Sequence, residues 1–112
     1  MFNFTEMFGK IRVMQEEMAK AREKLDGITV EAEAGGGMVR VMANANRKIL
    51  KVSVDKDIMD PNDPEIMEDL IVAAVNKALE KAEEVAREEL QKVSSEVMPN
   101  IPGLDLSKLG LG

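Results

Sequence analysis

The chain has 112 residues, a formal net charge of −6, and neither cysteine nor histidine. This length suits one domain. The missing residue types exclude disulfides, thiolate chemistry and the usual general base near neutral pH. Tyr and Trp are also absent and the three Phe lie within the first eight residues, so the core must be aliphatic. No apolar run approaches the roughly 18 residues of a membrane span, and residues 1–10 lack the basic n-region and apolar h-region of a signal peptide. We therefore expect a cytoplasmic location.

The first predicted element is a helix over residues 5–25. Its apolar residues are spaced alternately four and three positions apart, which is a heptad seam. The following Asp26-Gly27 ends the helix, with Gly27 expected at the position after the C-cap. The residues of this seam are Met7, Ile11, Met14, Met18, Ala21 and Leu25.

The middle third changes to a period of two, which is typical of strands with one apolar face. Two turn signals divide it: the triple glycine at 35–37 and the asparagine-rich stretch at 44–46, where Asn tolerates left-handed backbone. We therefore predict a three-stranded antiparallel meander. Its apolar positions are Ile28, Val30, Ala32 and Ala34, then Val39, Val41 and Ala43, then Leu50, Val52 and Val54.

A second helix is predicted over residues 65–97, after a loop rich in Asp, Asn and Pro in which Asn62 or Asp63 caps the helix. At about 50 Å it is too long for so small a domain to cover. Residues 1–98 are expected to form one domain and residues 99–112 a Pro/Gly/Leu-rich tail. The helix seam is Val72, Val75, Leu79, Ala82, Ala86 and Val93, with Glu89 interrupting it. Alanines at 73, 74, 78, 82 and 86 would let a partner helix approach closely.

These elements define an α+β fold that leaves one sheet edge open. The two helical seams can pair as an antiparallel hairpin, yet one chain of this size buries a meagre core. A homodimer that joins two meanders would cover the edge and enlarge the core. The alternative is a monomeric α+β domain with a frayed long helix.

Candidate chemical motifs in the sequence favour structural explanations. The triple glycine lacks the Lys-Ser or Lys-Thr of a phosphate-binding loop and precedes a strand, which indicates a hairpin turn. The aspartates of the loop at 55–63 lack the glycine and the bidentate acid of a calcium loop. Paired glutamates lie on solvated helix faces, without an apolar pocket to raise a pKa. The sequence therefore predicts no enzyme, no metal, no cofactor and no small-molecule substrate.

The first helix carries five bases, Lys10, Arg12, Lys20, Arg22 and Lys24. On a helical wheel the lysines fall on one flank of the apolar seam and the arginines on the other, so there is no single basic stripe. On net charge alone, nucleic acid is an unfavoured partner. A solvated face with supporting ion pairs explains these bases without any ligand. A protein-interaction adaptor, whose Met-rich helical groove binds a partner helix, is a further hypothesis.

Several strings resemble the YbaB/EbfC family of nucleoid-associated DNA-binding proteins. They are EAEAGGGMVRV at 31–41, VDKDIMDPNDPEIMEDLIVAAVNKALEKAEE at 54–84, and MQEEMAKAREKL at 14–25. The order of elements and the Leu/Gly/Pro-rich tail match as well, so the resemblance covers nearly the whole chain. One departure is the second turn, where Asn44-Ala45-Asn46-Arg47-Lys48 replaces the family's Asn-Gly hairpin and places two bases at a loop tip.

The resemblance implies a tweezer-like homodimer with projecting helical arms. It also implies binding to double-stranded DNA with little sequence specificity, and a role in bacterial chromosome organisation and gene regulation in the nucleoid. The family's DNA contact is ascribed to the arms. On this basis the expected DNA-binding residues are Lys10, Arg12, Lys20, Arg22 and Lys24, with Arg87 and Lys92 from the facing arm.

Overall fold

The computed structural model describes residues 3–97 and confirms the predicted α+β order of elements. The sequence placed the two helices within one residue of their observed ends. The predicted tail at 99–112 lies outside the described residues. The elements are α1 (Phe4–Leu25), β1 (Thr29–Ala34), β2 (Val39–Asn44), β3 (Ile49–Val54), a short 3₁₀ turn (Lys56–Ile58) and α2 (Pro64–Val97).

The first helix is capped at both ends by local groups. The Asn3 side-chain oxygen accepts hydrogen bonds from the backbone N–H groups of Thr5 and Glu6, at 3.0 and 3.5 Å, which satisfies donors that a helix start leaves unpaired. At the other end, the Gly27 N–H donates to the Lys24 carbonyl at 3.1 Å. Gly27 is therefore at the expected position, although its φ is not positive and the left-handed cap is not formed.

The three strands form one antiparallel sheet in the order β1-β2-β3. The triple glycine makes the first hairpin turn, as predicted, and all three glycines have positive φ. Gly35 also lies close to α2, because a Cβ at this position would lie 2.7 Å from a methyl carbon of Leu70, whose side chain would have to shift. This turn therefore also sets how closely the sheet approaches α2.

The core lies between the sheet and the first half of α2. Val39, Val41 and Ala43 of β2 are completely buried, and they pack with Ala74 and Ala78, which are also completely buried. The predicted α2 seam is thus partly wrong. Ala74 and Ala78 admit the sheet rather than a partner helix, and Val72, the first residue of the predicted seam, is 59% exposed. Small side chains at the contact let a helix lie close to a sheet.

The outer strand β3 is only partly covered. Val52 pairs directly opposite Val41, so both side chains lie on the same face of the sheet. Yet α2 lies over β1 and β2, and Val52 and Leu50 remain 42% and 45% exposed. A bulge opposite Met42 and Ala43 shifts the register beside Leu50. The meander therefore has an apolar face that one chain does not complete.

The opposite edge of the sheet is closed by two lysines of α2. Lys81 Nζ donates to the Glu31 carbonyl at 2.7 Å, and Lys77 Nζ donates to the Glu33 carbonyl at 3.4 Å. Lysine at a strand edge hinders the addition of another strand. The two edges therefore differ, with β1 blocked and β3 open.

The second half of α2 extends beyond the sheet and pairs with α1. Ala21 and Leu25 are the buried residues of α1, and Lys24 Nζ lies 3.5 Å from a carboxylate oxygen of Glu89. This confirms the predicted antiparallel helix pair and gives a molecule measuring 74 × 26 × 15 Å. We call the sheet with α2 up to Ala82 the body, and α1 with residues 83–97 the arm. Within the described residues, neither helix is apolar enough over a sufficient length to cross a membrane.

Candidate nucleic-acid interface

The structure places all seven predicted DNA-binding residues on the arm, each with an exposed side chain. The charge is unevenly distributed between the two parts. Helix α1 carries five bases and four acids, whereas residues 26–82 carry seven bases and eleven acids. Helix α1 is thus the element on which local positive potential could develop in an acidic protein. Whether these bases can contact a ligand depends on their present partners.

Four of the seven bases form ion pairs with acids of the arm. Lys20 lies 3.3 Å from Glu17, and Arg87 lies 3.7 Å from Glu83. Lys24 and Lys92 both contact Glu89, at 3.5 and 3.2 Å. In residues 3–97 no carboxylate lies within 4.0 Å of the other three bases, Lys10, Arg12 and Arg22.

Glu89 is the arm residue whose role the sequence did not reveal. It appeared only as an interruption of an apolar seam, but its side chain is 19% exposed and links the two helices through Lys24 and Lys92. The hydrogen bond from Lys92 Nζ, together with the nearby charge of Lys24, lowers the pKa of Glu89 below its usual value. An acid at a seam position, opposite a lysine of the paired helix, was the signal that could have identified it.

Both arginines of α1 lie on one acid-free sector of the helix. At 100° per residue this sector spans roughly 100° and contains no glutamate, since all four acids of α1 fall elsewhere on the wheel. On the side nearest the apolar seam of α1, the sector borders a surface depression. This depression is lined by Ile11, Met14, Gln15, Met18 and Arg22. We call this sector the arginine face; its residues are Phe4, Phe8, Ile11, Arg12, Gln15, Ala19 and Arg22.

A second set of arginines converges where the arm joins the body. Arg22, Arg47 and Arg87 line one surface depression, which Glu83 and Leu90 also border, and we call this depression the arm root. Arg22 and Arg87 were expected at a DNA site, whereas Arg47 belonged to the hairpin tip. The fold therefore brings the hairpin tip beside the arm root, where Arg47 extends the basic surface that begins on α1.

This contact depends on the asparagine-rich hairpin turn. The Asn46 side chain donates to the Arg22 carbonyl at 3.1 Å and to an Asp26 carboxylate oxygen at 2.6 Å. The Ala45 N–H donates to the Leu25 and Ile28 carbonyls at 3.2 and 2.8 Å. Two of these acceptors, the carbonyls of Arg22 and Leu25, belong to the last turn of α1, where carbonyls have no partner within the helix. The turn thus caps α1 and holds the arm to the sheet.

The backbone of this turn differs from the expected one. The sequence suggested that an asparagine takes the left-handed conformation, but Arg47 does so, with a φ of 62°. Asn44 instead remains in β2, where its buried side-chain oxygen accepts hydrogen bonds from the N–H groups of Asn46 and Lys48 at 3.0 and 3.1 Å. Because the left-handed residue is Arg47 and not a glycine, the tip of the hairpin carries a guanidinium side chain.

Catalytic and metal sites were not expected from the sequence. Over residues 3–97, no three acids come together in a way that could hold a metal ion. The aspartates of the loop instead make local turns, in which Asp55 and Asp60 side chains accept backbone N–H groups of Asp57 and Asn62, each at 2.9 Å. The arm is therefore the part of the described chain with the most distinctive surface chemistry.

A small α+β body thus carries a paired-helix arm with outward arginines, an arrangement that suits a protein with an anionic partner such as nucleic acid. The chain belongs to the YbaB/EbfC DNA-binding family, whose model matches residues 1–97. This confirms the resemblance found in the sequence.

Curated relatives support the same assignment. A nucleoid-associated protein of Syntrophobacter fumaroxidans is 45% identical over 100 residues, covering 89% of each chain. One of Thermoanaerobacter pseudethanolicus is 44% identical over 103 residues, covering 92% of this chain and 91% of the relative. A crystal structure of an uncharacterized Helicobacter pylori protein superposes with a TM-score of 0.70 at 24% identity, covering 79% of this chain and 92% of the other. That likeness concerns the fold.

Proposed function

We propose that this protein binds duplex DNA as a homodimer through its helical arms, as a non-enzymatic protein of the bacterial nucleoid. The observation that carries the proposal is the arginine face, on which Arg12 and Arg22 project from a sector without acids. Family membership supports DNA as the partner. By organising the chromosome, such binding would also influence the expression of nearby genes.

The binding is expected to be weak and dependent on salt. A dimer would carry a charge of −12, twice the −6 of one chain, so DNA repels most of its surface. Among residues 3–97, the arginine face and the arm root are the surfaces on which we expect local positive charge to favour DNA. Each phosphate neutralised contributes about −0.9 to the slope of log affinity against log salt, so a few contacts imply a slope on the order of −3 to −5.

Sequence preference should be slight. Arg12 and Arg22 lie ten residues apart on α1, or about 15 Å along the helix axis. This separation suits contacts to different phosphates, and a guanidinium binds phosphate with two parallel hydrogen bonds. Contacts to phosphate fix position without reading bases.

The decisive test reverses the two arginines. The double substitution R12E and R22E should abolish binding of a duplex at about 50 mM salt, measured by fluorescence anisotropy, because it removes both phosphate contacts and adds repulsion. The control makes the same change of charge on the body and away from the β3 edge, with R40E and K56E, and should retain most of the affinity. Equal loss in both variants would show that net charge, rather than the arginine face, determines binding.

The remaining arm bases define a smaller second test. Reversal of Lys20 should weaken binding less than reversal of Arg22, since Lys20 already pairs with Glu17. Reversal of Arg47 and Lys48 together measures the contribution of the hairpin tip. If the parent protein does not bind DNA even at about 50 mM salt, the DNA proposal fails, and the adaptor function, with Met14 and Met18 beside the arginine face, becomes the better hypothesis.

The dimer is proposed to form on the open side of the sheet. Lys77 and Lys81 mark the flank of α2 that faces β1. Val75 and Leu79 each precede one of these lysines by two residues, so they lie on nearly the opposite flank. There Leu79 borders a depression lined by Asn46 and Arg47 of the β2–β3 hairpin. We call the resulting surface the β3-side patch, formed by Leu50, Val52, Val72, Val75 and Leu79.

A second copy is the occupant that best suits the β3-side patch. The patch adjoins an unpaired strand edge, and exposed strand edges pair readily with other strands. A twofold interface would place the patch of one protomer on that of the other and extend both sheets. The arms would then project from a shared central body, in the tweezer-like form that the family resemblance implies.

Sedimentation equilibrium at micromolar concentration tests this arrangement. The parent should sediment as a dimer of twice 12.3 kDa. V52D or V72D should yield a folded monomer, because each side chain is exposed within one chain and buried only in the proposed dimer. V13D, on an exposed position of α1, is the control and should stay dimeric. A parent that is monomeric and fully folded would contradict the proposed assembly.

A further inference from the structure

The free end of α1 carries exposed aromatic side chains. Phe4 and Phe8 are 62% and 64% exposed, and Ile11 on the same face is 44% exposed. These positions follow a spacing of four and three, so they form one continuous apolar stripe. The chain has three aromatic residues in all, and two of them lie on this stripe. Large exposed apolar groups at the end of a charged arm indicate a binding surface.

The stripe extends past the end of the paired helix. Lys24 lies opposite Glu89, so in an antiparallel pair the last residue of α2, Val97, lies near residue 16 of α1. The first turns of α1 therefore extend roughly 15 Å past the end of α2. The proposed dimer patch is on the body, and about 25 Å separates Phe8 from the end of α1 that joins the body. Dimerisation through that patch leaves the stripe accessible.

The surroundings of the stripe indicate an anionic partner with an apolar interior. Arg12 lies one turn from Phe8 on the same side of the helix, at roughly 6 Å between Cβ atoms. Neither Arg12 nor Lys10 has a carboxylate partner among residues 3–97. Duplex DNA combines phosphates with apolar base faces, and architectural proteins insert Phe, Leu or Ile between base steps.

We propose that Phe4 and Phe8 form an apolar wedge that inserts at a base step of bound DNA, while Arg12 contacts the adjoining phosphate. The inference rests on the proposed DNA binding and adds a mechanism to it. Side-chain bonds of a helix tilt towards its N-terminus. Both rings therefore lean towards the free end of the arm and would reach the duplex ahead of the helix backbone. Partial unstacking at the wedge bends the DNA, which is how a protein with few phosphate contacts can still organise it.

Two measurements on the full-length protein separate binding from insertion. Anisotropy of a labelled duplex at about 50 mM salt reports binding, and fluorescence of 2-aminopurine within the duplex reports unstacking. The parent should bind and raise the 2-aminopurine signal. The double variant F4A and F8A should lose that rise and bind about tenfold more weakly. Its salt slope should be unchanged, because the phosphate contacts remain.

Two further variants keep this test specific. V13A removes an exposed apolar side chain from another side of the same helix and should match the parent in both measurements. F4L with F8L should retain part of the fluorescence rise, since leucine also serves as a wedge.

Three results would overturn the wedge. The first is a fluorescence rise that persists in F4A with F8A. The second is a parent that binds without any rise. The third is a lower melting temperature or loss of the dimer in F4A with F8A, which would show that the rings pack against this chain or its copy. Absence of binding by the parent in the anisotropy measurement would reject the proposed function itself, and the wedge with it.

Discussion

The body and the arm are built from similar residues but use them differently. In the body, Val39, Val41 and Ala74 are completely buried against one another. In the arm, the 22 residues of α1 bury only Ala21 and Leu25, while Phe8 and Val13 are 64% and 50% exposed. Burial of apolar area is the main source of stability, so the body stabilises the fold and the arm contributes surface.

This difference explains how an acidic protein can present a basic surface. The body needs only a small aliphatic core, which leaves its exterior free to carry excess acid. The arm is held by one helix pair, by the ion cluster at Glu89 and by the Asn46 cap, so most positions of α1 are free of packing constraints. Regions with little buried area open most readily, and we expect α1 to be the more mobile part.

The largest expected effect is on the free energy of unfolding, when an aspartate replaces a valine of the body and, for comparison, a valine of the arm. V41D puts an unpaired carboxylate at a completely buried position and should destabilise the protein by about 4 kcal/mol or more, which would leave it unfolded. V13D, at a 50% exposed position, should change the free energy of unfolding by about 0.5 kcal/mol or less. Urea unfolding followed by circular dichroism measures both. Similar midpoints for the two variants would contradict the division into body and arm.

An intermediate effect is expected at Glu89, because its carboxylate forms ion pairs with two of the predicted DNA-binding bases. E89Q frees Lys24 and Lys92 and should strengthen DNA binding several-fold, with a salt slope steeper by about 0.9 for each further phosphate that these lysines neutralise. E84Q makes the same change of charge at an exposed arm position that forms no ion pair within residues 3–97, and is the matched control. If both variants bind alike, Glu89 acts only through net charge.

The same carboxylate predicts a dependence on pH. Because the pKa of Glu89 is lowered in the folded protein, its ion pairs stabilise the arm above the usual carboxyl pKa, and this stabilisation is lost as the pH falls through the lowered value. The parent should therefore lose more thermal stability than E89Q on acidification below about pH 4.5. Parallel loss in both proteins would exclude a contribution from this cluster.

The smallest effects concern two glycines with equal room for a methyl group. A Cβ at Gly9 in α1, or at Gly36 in the first hairpin, would meet nothing within 4 Å. G9A should stabilise α1 by up to about 1 kcal/mol, because Ala favours the helix. G36A should destabilise by about 1 kcal/mol, since φ is +65° there. Amide hydrogen exchange in α1 measures the effect of G9A, and urea unfolding measures the effect of G36A. Destabilisation of α1 by G9A would show that the arm uses the flexibility of Gly9.

Local sequence patterns predicted the elements of this fold well. Heptad spacing located α1 and α2, alternation located the strands, and the triple glycine identified the first hairpin. The seam did not predict that Val72 is exposed within one chain, because a seam shows that residues share one side of a helix but not whether a sheet, a helix or solvent lies opposite. The left-handed residue of the second turn was also misplaced, because asparagine was the better local candidate and the contacts of Asn46 with the distant end of α1 are not visible in the sequence.

The sequence by itself determined the α+β order, the family, the absence of His and Cys chemistry, and the bases available for DNA, because each follows from residue type and local spacing. Only the tertiary structure decided which of those bases remain unpaired, that Arg47 of a hairpin joins Arg22 and Arg87 at the arm root, and that β3 rather than β1 is the open edge. Those outcomes depend on contacts between residues far apart in the chain, such as Lys24 with Glu89 and Lys81 with Glu31. They arise only when small alanines let α2 lie close against the sheet.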